Sequence, residues 1–151
     1  MRNHATAQLT RRPATDADLD LLYSILRAAL APYVEQTWGT WDDTTQRKRF
    51  DEVTRAADHV IIELDGLPVG CLCLKTSNAE VRLVRLFILP KFQNQGFGTR
   101  ILREVLRLAD EQRLPTRLRA LRVNPARRLY ERHGFRVTEE NETHYTMVRP
   151  A

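Results

Sequence analysis

The chain has 151 residues, of which 42% are hydrophobic, and these values are typical of one compact domain. We therefore expect a single domain over residues 1–151. No apolar run approaches the roughly 20 residues that a membrane-spanning helix needs. Residues 1–8 carry charge and polarity but no apolar stretch that could act as a signal peptide. We expect a cytoplasmic protein with no membrane partner.

The formal net charge of +5 fits either nucleic acid or acidic small molecules as partners. Because the basic residues are spread over the helices and the C-terminal third instead of forming one run, we expect no nucleic-acid partner. The two cysteines, Cys71 and Cys73, are spaced to lie on one face of a strand. This spacing fits two buried thiols, and two ligands do not make a metal site, so we expect no metal.

The first elements in chain order are a strand at 8–12, a helix at 15–32, an irregular connection at 33–43 and a second helix at about 44–57. The sequence from Thr15 to Asp18 resembles a capping box, and Pro32 is expected to help end the first helix. In the second helix, the apolar residues Phe50, Val53 and Ala57 are expected to face inward.

The later elements are strands at 60–64, 69–74 and 80–89, a helix at 99–112, a strand at 118–123, a helix at 125–133, and strands at 135–140 and 144–148. The dipeptide Asp65-Gly66 is typical of a tight turn and predicts a hairpin between the first two of these strands. The order of elements indicates an α+β domain. We expect a mixed, mostly antiparallel central sheet flanked by about four helices.

The most informative segment is residues 86–100, where an apolar strand passes through a glycine turn into an amphipathic helix. Gly96 and Gly98 lack a Cβ, so the backbone can adopt positive φ and approach a ligand closely. The N–H groups of the first helical turn favour an anion such as pyrophosphate. The segment lacks the third glycine and the distant acidic residue of a dinucleotide fingerprint, and no Gly-Lys-Ser/Thr follows as in a Walker A loop. A tight turn with no ligand is the alternative.

A second segment, residues 123–135, reads Val-Asn-Pro-Ala-Arg-Arg-Leu-Tyr-Glu-Arg-His-Gly-Phe. Together the two segments resemble the GNAT superfamily of acetyl-CoA-dependent N-acyltransferases. Gln93, Gly96 and Gly98 match its Gln/Arg-x-x-Gly-x-Gly/Ala signature, and residues 124–135 match its Asn…Ala-x-x-Leu-Tyr…Gly-Phe signature. In element order the resemblance extends over about residues 7–149. It implies a GNAT-like fold with acetyl-CoA as cosubstrate, and it allows a homodimer, since dimers are common in that family.

In GNAT proteins the pantetheine arm runs along the backbone of the middle strand, and the pyrophosphate lies on the amides of the glycine turn. The residues that the resemblance implies for acetyl-CoA binding are Leu86, Phe87, Ile88, Gln93, Asn94, Gln95, Gly96, Phe97, Gly98, Thr99, Arg100 and Asn124. Asn124 lies six residues before Tyr130, whereas the commonest spacing in the family is seven. The side chains of 86–88 can equally be ordinary core, because backbone groups make the contacts.

The resemblance implies that Tyr130 is the general acid that protonates the leaving thiolate. A core-facing helix residue is the alternative for this position. Many family members have a glutamate on the middle strand where this chain has Arg82. Glu80, two residues earlier and on the same face of the strand, is a candidate general base, and a surface ion pair is its alternative.

In the family, the connection between the first two helices borders the acceptor pocket. Here that connection contains Glu35, Trp38 and Trp41, and aromatic faces together with carboxylates attract ammonium groups. We therefore expect these residues to bind the acceptor, with Glu35 as a second candidate base. His144 is a further candidate, because its usual pKa suits proton transfer. The alternative is that the two tryptophans close the end of the sheet.

These patterns predict an acetyl-CoA-dependent N-acetyltransferase. It would transfer the acetyl group to a primary amine by direct attack in a ternary complex, and the expected acceptor is a small molecule. One alternative is a protein or peptide N-acetyltransferase, for which an open groove is expected. The other is a non-catalytic acyl-CoA-binding sensor, which Arg82 at the usual position of the base keeps open.

Overall fold

The computed structural model describes residues 8–151, and residues 1–7 of the predicted domain lie outside the described part of the chain. Within 8–151, seven strands form one sheet in the order β1-β2-β3-β4-β5-β7-β6. The strands are β1 (Leu9–Pro13), β2 (His59–Leu64), β3 (Leu67–Thr76), β4 (Val81–Ile88), β5 (Thr116–Leu121), β6 (Arg136–Glu140) and β7 (His144–Arg149). The α-helices are α1 (Leu19–Trp38), α2 (Asp43–Val53), α3 (Phe97–Gln112) and α4 (Arg127–Arg132). The predicted α+β domain with a mixed sheet is confirmed.

The strands divide into two antiparallel groups, β1 to β4 and β5 to β7, which meet at a parallel pair. The hairpin between β2 and β3 is confirmed, with Asp65 at φ 49° and Gly66 at φ 82°. Positive φ at both turn residues matches the twist of the flanking strands, so a tight loop closes the hairpin without splaying it. Because β4 and β5 are parallel, their connection must cross from one end of the sheet to the other, and α3 makes that crossing.

Helix α1 is longer than the sequence predicts. Pro32 lies inside it, and the helix continues to Trp38, so the expected end at Pro32 and the irregular connection at 33–38 are wrong. A proline removes the hydrogen bond to the carbonyl four residues earlier, which here belongs to Ala28. Ala28 and Pro32 are both exposed, so water can satisfy that carbonyl. The helix ends at Gly39, which has φ 98°.

Helix α2 is shorter than predicted, since it ends at Val53. Phe50 is buried as expected, but Val53 is 71% exposed and Ala57 is exposed as well. A separate 3-10 turn follows at Ala56–Asp58, and it buries Ala56 in place of Ala57. The helical period does not continue through this break, which explains why the prediction for Ala57 is wrong. Val53 is the last residue of α2, and its side chain lies in solvent there.

Helices cover both faces of the sheet. On one face, α1 and α2 pack Ile25 and Phe50 against Ile61 and Cys71. On the other face, Leu102 and Leu106 of α3 pack against the sheet in a cluster of buried residues. Cys71 and Cys73 are both buried free thiols, as their spacing predicts. The core therefore lies in two layers, and the sheet separates them.

Candidate active site

Strands β4 and β5 are paired over only part of their length. The paired positions are Val81 with Thr116, Arg82 with Arg117 and Leu83 with Leu118. Beyond Leu83, β4 continues to Ile88 with β3 on one edge and no strand partner on the β5 edge. Strand edges carry unpaired N–H and C=O groups, so this separation creates a site that an extended, hydrogen-bonding ligand can occupy.

A cavity of about 440 Å³ lies at this separation. Its walls come from α1, from the end of β4, from the turn before α3 and from α4 with the residues that precede it. The lining residues are Ala29, Leu30, Tyr33, Leu86, Phe87, Ile88, Phe92, Gln93, Asn94, Gly96, Gly98, Thr99, Asn124, Pro125, Ala126, Arg128, Leu129, Tyr130 and Arg132. The two sequence signatures, distant along the chain, thus face one cavity.

The turn before α3 has the backbone shape that the glycine pattern predicts. Asn94 (φ 62°) and Gly96 (φ 85°) are both in the left-handed region, and Gly96 caps the helix. The first hydrogen bond inside the helix joins Arg100 N to Gly96 O at 3.0 Å. The amides of Gly98 and Thr99 therefore have no acceptor within the helix, and both residues line the cavity. This geometry can hold an anion.

Two contacts fix the end of β4 beside this turn. The side-chain amide of Gln93 donates a hydrogen bond to the carbonyl oxygen of Ile88 at 2.8 Å. On the other edge of β4, a Cβ on Gly70 would lie 2.2 Å from the carbonyl oxygen of Phe87, so only glycine lets β3 approach this closely. In addition, the register between β3 and β4 shifts after Cys73, which leaves Val84 as an extra residue in β4. The bulge redirects the strand just before it reaches the cavity.

Tyr130 lies on α4 with its side chain in the cavity wall. Its ring makes an edge contact with Phe135, with the ring centroids 5.6 Å apart. Burial, with a smaller contribution from Tyr145, raises the pKa of Tyr130 to about 12. The phenol is therefore protonated throughout the neutral range.

The residues around Tyr130 shape the rest of this wall. Asn124 precedes α4, and its side-chain oxygen accepts a hydrogen bond from the Ala126 amide at 2.9 Å. This hydrogen bond orders the turn before α4, and Asn124 also lines the cavity. Arg128 and Arg132 lie one helical turn apart on α4, and both are exposed at the cavity wall. They supply positive charge close to the turn before α3.

Several predicted site residues do not line the cavity. Glu80 precedes β4 at the end away from the cavity and forms an ion pair with Arg117 at 2.9 Å, which agrees with its alternative as a surface ion pair. Glu35 is exposed on α1. Trp41 is buried, and its indole nitrogen donates to Asp43 at 3.0 Å. Three residues of the glycine turn are also absent from the wall: Gln95 and Arg100, which are exposed, and Phe97, which is buried.

Trp38 and His144 lie together at the end of α1. Their ring centroids are 5.9 Å apart, so the C-terminus of α1 contacts the start of β7. Burial, followed by the nearby charge of Arg119, lowers the pKa of His144 below its usual value. Trp38 also lines a second cavity of about 490 Å³, between the end of α1 and the start of α2. The structure thus separates the predicted acceptor residues: Trp38 and His144 are neighbours, whereas Trp41 belongs to the core.

Sequence reasoning missed the contribution of α1 to the main cavity. Ala29, Leu30 and Tyr33 line it because α1 continues past Pro32. The signal was present in the apolar spacing, since Leu26, Leu30 and Tyr33 continue one helical face. A proline inside a helix usually ends it or bends it, which is why Pro32 conceals this period in the sequence.

The family to which the chain belongs follows from sequence comparison. The sequence model of the acetyltransferase (GNAT) domain matches residues 55–137, which include the strand, the glycine turn and the Tyr130 segment. The chain belongs to the GNAT acetyltransferase family. The prediction of an acetyl-CoA-dependent N-acetyltransferase is confirmed at this level. No curated protein sequence matches the chain significantly.

Solved structures of GNAT proteins share the fold. The PaiA N-acetyltransferase from Thermoplasma acidophilum, solved in complex with coenzyme A, is 18% identical with a TM-score of 0.69, and the match covers 95% of this chain and 99% of that one. An acetyltransferase from Thermus thermophilus is 24% identical with a TM-score of 0.69, over 95% and 97% of the two chains. Naa50 from Arabidopsis thaliana, in complex with the bisubstrate analogue CoA-Ac-MVNAL, is 18% identical with a TM-score of 0.67, over 95% and 99%.

Two features are absent from the described part of this GNAT domain. Over residues 8–151, no helix combines the length and apolar character needed to cross a bilayer. In the same range, no three His, Cys, Asp or Glu side chains are grouped so that they could hold a metal ion.

Proposed function

We propose that this GNAT enzyme transfers an acetyl group from acetyl-CoA to the primary amine of a small molecule, by direct attack in a ternary complex. The observation that carries the proposal is the cavity at the separation of β4 and β5, which both signatures line. The coenzyme A complex of the Thermoplasma acidophilum neighbour supports the choice of cosubstrate.

In this proposal the pantetheine arm lies along Leu86, Phe87 and Ile88, where β4 lacks a partner on the β5 side. Amide groups can hydrogen-bond to that edge as a further strand would. The pyrophosphate lies on the amides of Gly98 and Thr99, and Arg128 and Arg132 neutralise phosphate charge. Asn124 contacts the arm from the opposite wall.

The chemistry assigns one role to Tyr130. The nitrogen of the neutral amine attacks the thioester carbonyl carbon, a C–N bond forms, and the C–S bond breaks. Tyr130 donates its proton to the departing sulfur, which leaves as the coenzyme A thiol. The pKa of about 12 keeps the phenol protonated before the step, so the proton is available at neutral pH. Water then restores the phenol.

The amine must lose a proton, and we propose His144 as the general base. Its lowered pKa leaves the imidazole neutral at pH 7, which is the form that accepts a proton. It lies at the start of β7, next to the last residue of β5, Leu121. Like Glu35, His144 lies outside the cavity wall, but it contacts Trp38 at the end of α1, whereas Glu80 is held by Arg117.

The test is thiol release from acetyl-CoA with a panel of polyamines, amino acids, aminoglycosides, arylamines and short peptides. The Tyr130→Phe variant removes the proposed acid, and Tyr145→Phe makes the same change in a buried neighbour that does not line the cavity. We expect amine-dependent release that falls in Tyr130→Phe and persists in Tyr145→Phe. Acetyl-CoA binding without release for any amine would favour the sensor alternative.

A protein or peptide acceptor is the second candidate. It is supported by the Arabidopsis neighbour, whose bisubstrate analogue joins coenzyme A to a short peptide. The panel separates the two candidates, because a peptide enzyme would prefer the short peptides over free amines of the same charge. The expected cytoplasmic location and the homodimer stay predictions.

A further inference from the structure

The face of the sheet that carries α1 and α2 is only partly covered. Near β2 and β3 the helices bury it, as Phe50 at 3% exposure and Ile61 at 0% show. Where β4 and β5 are paired, Arg82 and Arg117 are exposed, and Val84 just beyond the pairing is 37% exposed. The uncovered part therefore meets solvent beside the separation of β4 and β5.

Four basic residues from three adjacent strands occupy this uncovered face. The register pairs Lys75 with Arg82 and Arg82 with Arg117, and Arg119 lies two residues further along β5. Register partners share a face and adjacent strands are about 4.8 Å apart, so these side chains form one group. We call Lys75, Arg82, Arg117 and Arg119 the basic strip. All four are exposed. Their positions along the chain are far apart, and only the fold brings them together.

The basic strip is nearly free of acidic neighbours. Among residues 8–151, the strip makes one ion pair, in which Arg117 Nε lies 2.9 Å from a carboxylate oxygen of Glu80. On β6, the outermost strand, Arg136 and Glu139 add one charge of each sign to the same face. By contrast, the opposite side of the sheet mixes the signs, since Glu104 pairs with Arg11 and Asp110 pairs with Arg149.

Arg85 adds a half-buried positive charge on β4. Its guanidinium lies beneath α2, 5.5 Å from the centroid of the Phe50 ring. Its Nη1 lies 3.1 Å from the Thr54 hydroxyl and 3.1 Å from His59 Nε2. Neither group carries a negative charge that would balance the guanidinium, which has further N–H donors to offer. The charge of Arg119 also reaches His144, the proposed base, whose pKa it helps to lower.

We propose that the acceptor is an amine that carries an anionic group, a carboxylate or a phosphate, and that the basic strip binds this group. The inference rests on the proposed transferase function. The strip begins where β4 and β5 are paired, and the thioester is placed where they separate. An acceptor bound by its anion on the strip can therefore direct its amine toward the cavity. Complementary charge also accelerates the encounter between acceptor and enzyme.

The experiment compares matched amines that differ by one anionic group. The pairs are phenethylamine with phenylalanine for the carboxylate, and ethanolamine with O-phosphoethanolamine for the phosphate. The readouts are kcat/KM from thiol release and, on protein saturated with coenzyme A, amine binding by calorimetry. The variants are Arg82→Gln and Arg119→Gln. Arg107→Gln, an exposed arginine on the opposite side of the sheet, is the matched control.

We expect the anionic member of at least one pair to be preferred. Each strip variant should reduce that preference by about three- to fivefold, because an exposed charge pair usually contributes a free energy of that size. The control variant Arg107→Gln should keep the preference. The pair that shows the preference identifies carboxylate or phosphate. Melting temperature and coenzyme A affinity confirm that each variant is folded.

Three outcomes would contradict the anion site or the transferase function, and each can be told from the others. Transfer with no preference for the anionic amines rejects this inference and leaves the proposed function standing. Preferential binding of anionic amines without transfer keeps the anion site and rejects the proposed function. Salt-sensitive binding of a single-stranded oligonucleotide, lost in the strip variants and unaccompanied by any preference among amines, would assign the strip to nucleic acid instead.

Discussion

Gly70 on β3 lies so close to Phe87 on β4 that a Cβ at Gly70 would stand 2.2 Å from the Phe87 carbonyl oxygen. The atom it would meet is backbone, which cannot rotate away. Gly70 thus sets the position of the strand residues that line the cavity.

The first prediction concerns this contact. Gly70→Ala should destabilise the fold by about 1–3 kcal/mol, as overpacking does, and should weaken acetyl-CoA binding by displacing Phe87 and Ile88. Chemical denaturation and calorimetry measure the two effects. At Gly98 a Cβ would be 3.7 Å from Ile88 Cγ1, an ordinary contact, so Gly98→Ala should keep stability. Equal stability of Gly70→Ala and Gly98→Ala would contradict the role assigned to the contact between Gly70 and the Phe87 carbonyl.

The second prediction concerns Gln93. Gln93→Ala removes the hydrogen bond to the Ile88 carbonyl, which is worth about 1 kcal/mol, and should lower acetyl-CoA affinity by about fivefold. The matched control is Gln95→Ala, in the same loop, since Gln95 donates to the Lys91 carbonyl at 3.3 Å and does not line the cavity. If both variants bind acetyl-CoA equally, Gln93 does not position the turn.

The third prediction concerns Tyr130. General acid catalysis typically contributes about 10²–10⁴-fold, so Tyr130→Phe should lower kcat by this order with little loss of acetyl-CoA affinity. Because the pKa is raised to about 12, the phenol stays protonated, and activity should not fall through its titration between pH 7 and 9. Steady-state kinetics over this range check both points. An unchanged kcat would reject the role.

The fourth prediction concerns His59, which is 4% exposed. Burial, assisted by the charge of Arg85, lowers the pKa of His59 below its ordinary 6.5. Below about pH 6.5 the unfolded chain therefore binds a proton that the folded chain does not, and stability should fall as the pH falls from there. His144 shifts in the same direction. Urea titrations at pH 8 and pH 5 should show a smaller difference for His59→Gln, and an unchanged difference would remove His59 as the cause.

The fifth prediction separates direct attack from an acyl-enzyme. Cys71 and Cys73 are 1% and 2% exposed, and burial raises the pKa of Cys71 to about 12. The native protein should therefore resist a thiol reagent and keep its activity, while both thiols react in denaturant. Rapid loss of activity with labelling of one cysteine would point to a covalent intermediate.

The sequence predicts well what depends on local backbone chemistry. The turn at Asp65-Gly66 and the left-handed Gly96 follow from the residues that tolerate positive φ, and the structure has both. It predicts poorly what depends on distant contacts. Pro32 is tolerated because the carbonyl it leaves unpaired faces solvent, and Trp41 is buried because Asp43 and Tyr23 lie beside its indole nitrogen.

The candidate site shows the same division. The two signatures identify both walls at β4 and α4, since each is contiguous in sequence. The basic strip is invisible along the chain, because Lys75 and Arg119 become neighbours of Arg82 and Arg117 only through strand register. The contribution of Tyr33 likewise depends on where α1 ends.

The short parallel pairing of Val81–Leu83 with Thr116–Leu118 also bears on how the domain folds. The groups β1 to β4 and β5 to β7 are each built from antiparallel pairs, most of them between strands close in sequence. The parallel pair closes a loop that contains α3, and the pair of β1 with β2 closes a longer loop that contains α1 and α2; pairs between distant residues form slowly. The gap where substrates would meet is therefore also the line along which the two antiparallel groups of the sheet are joined.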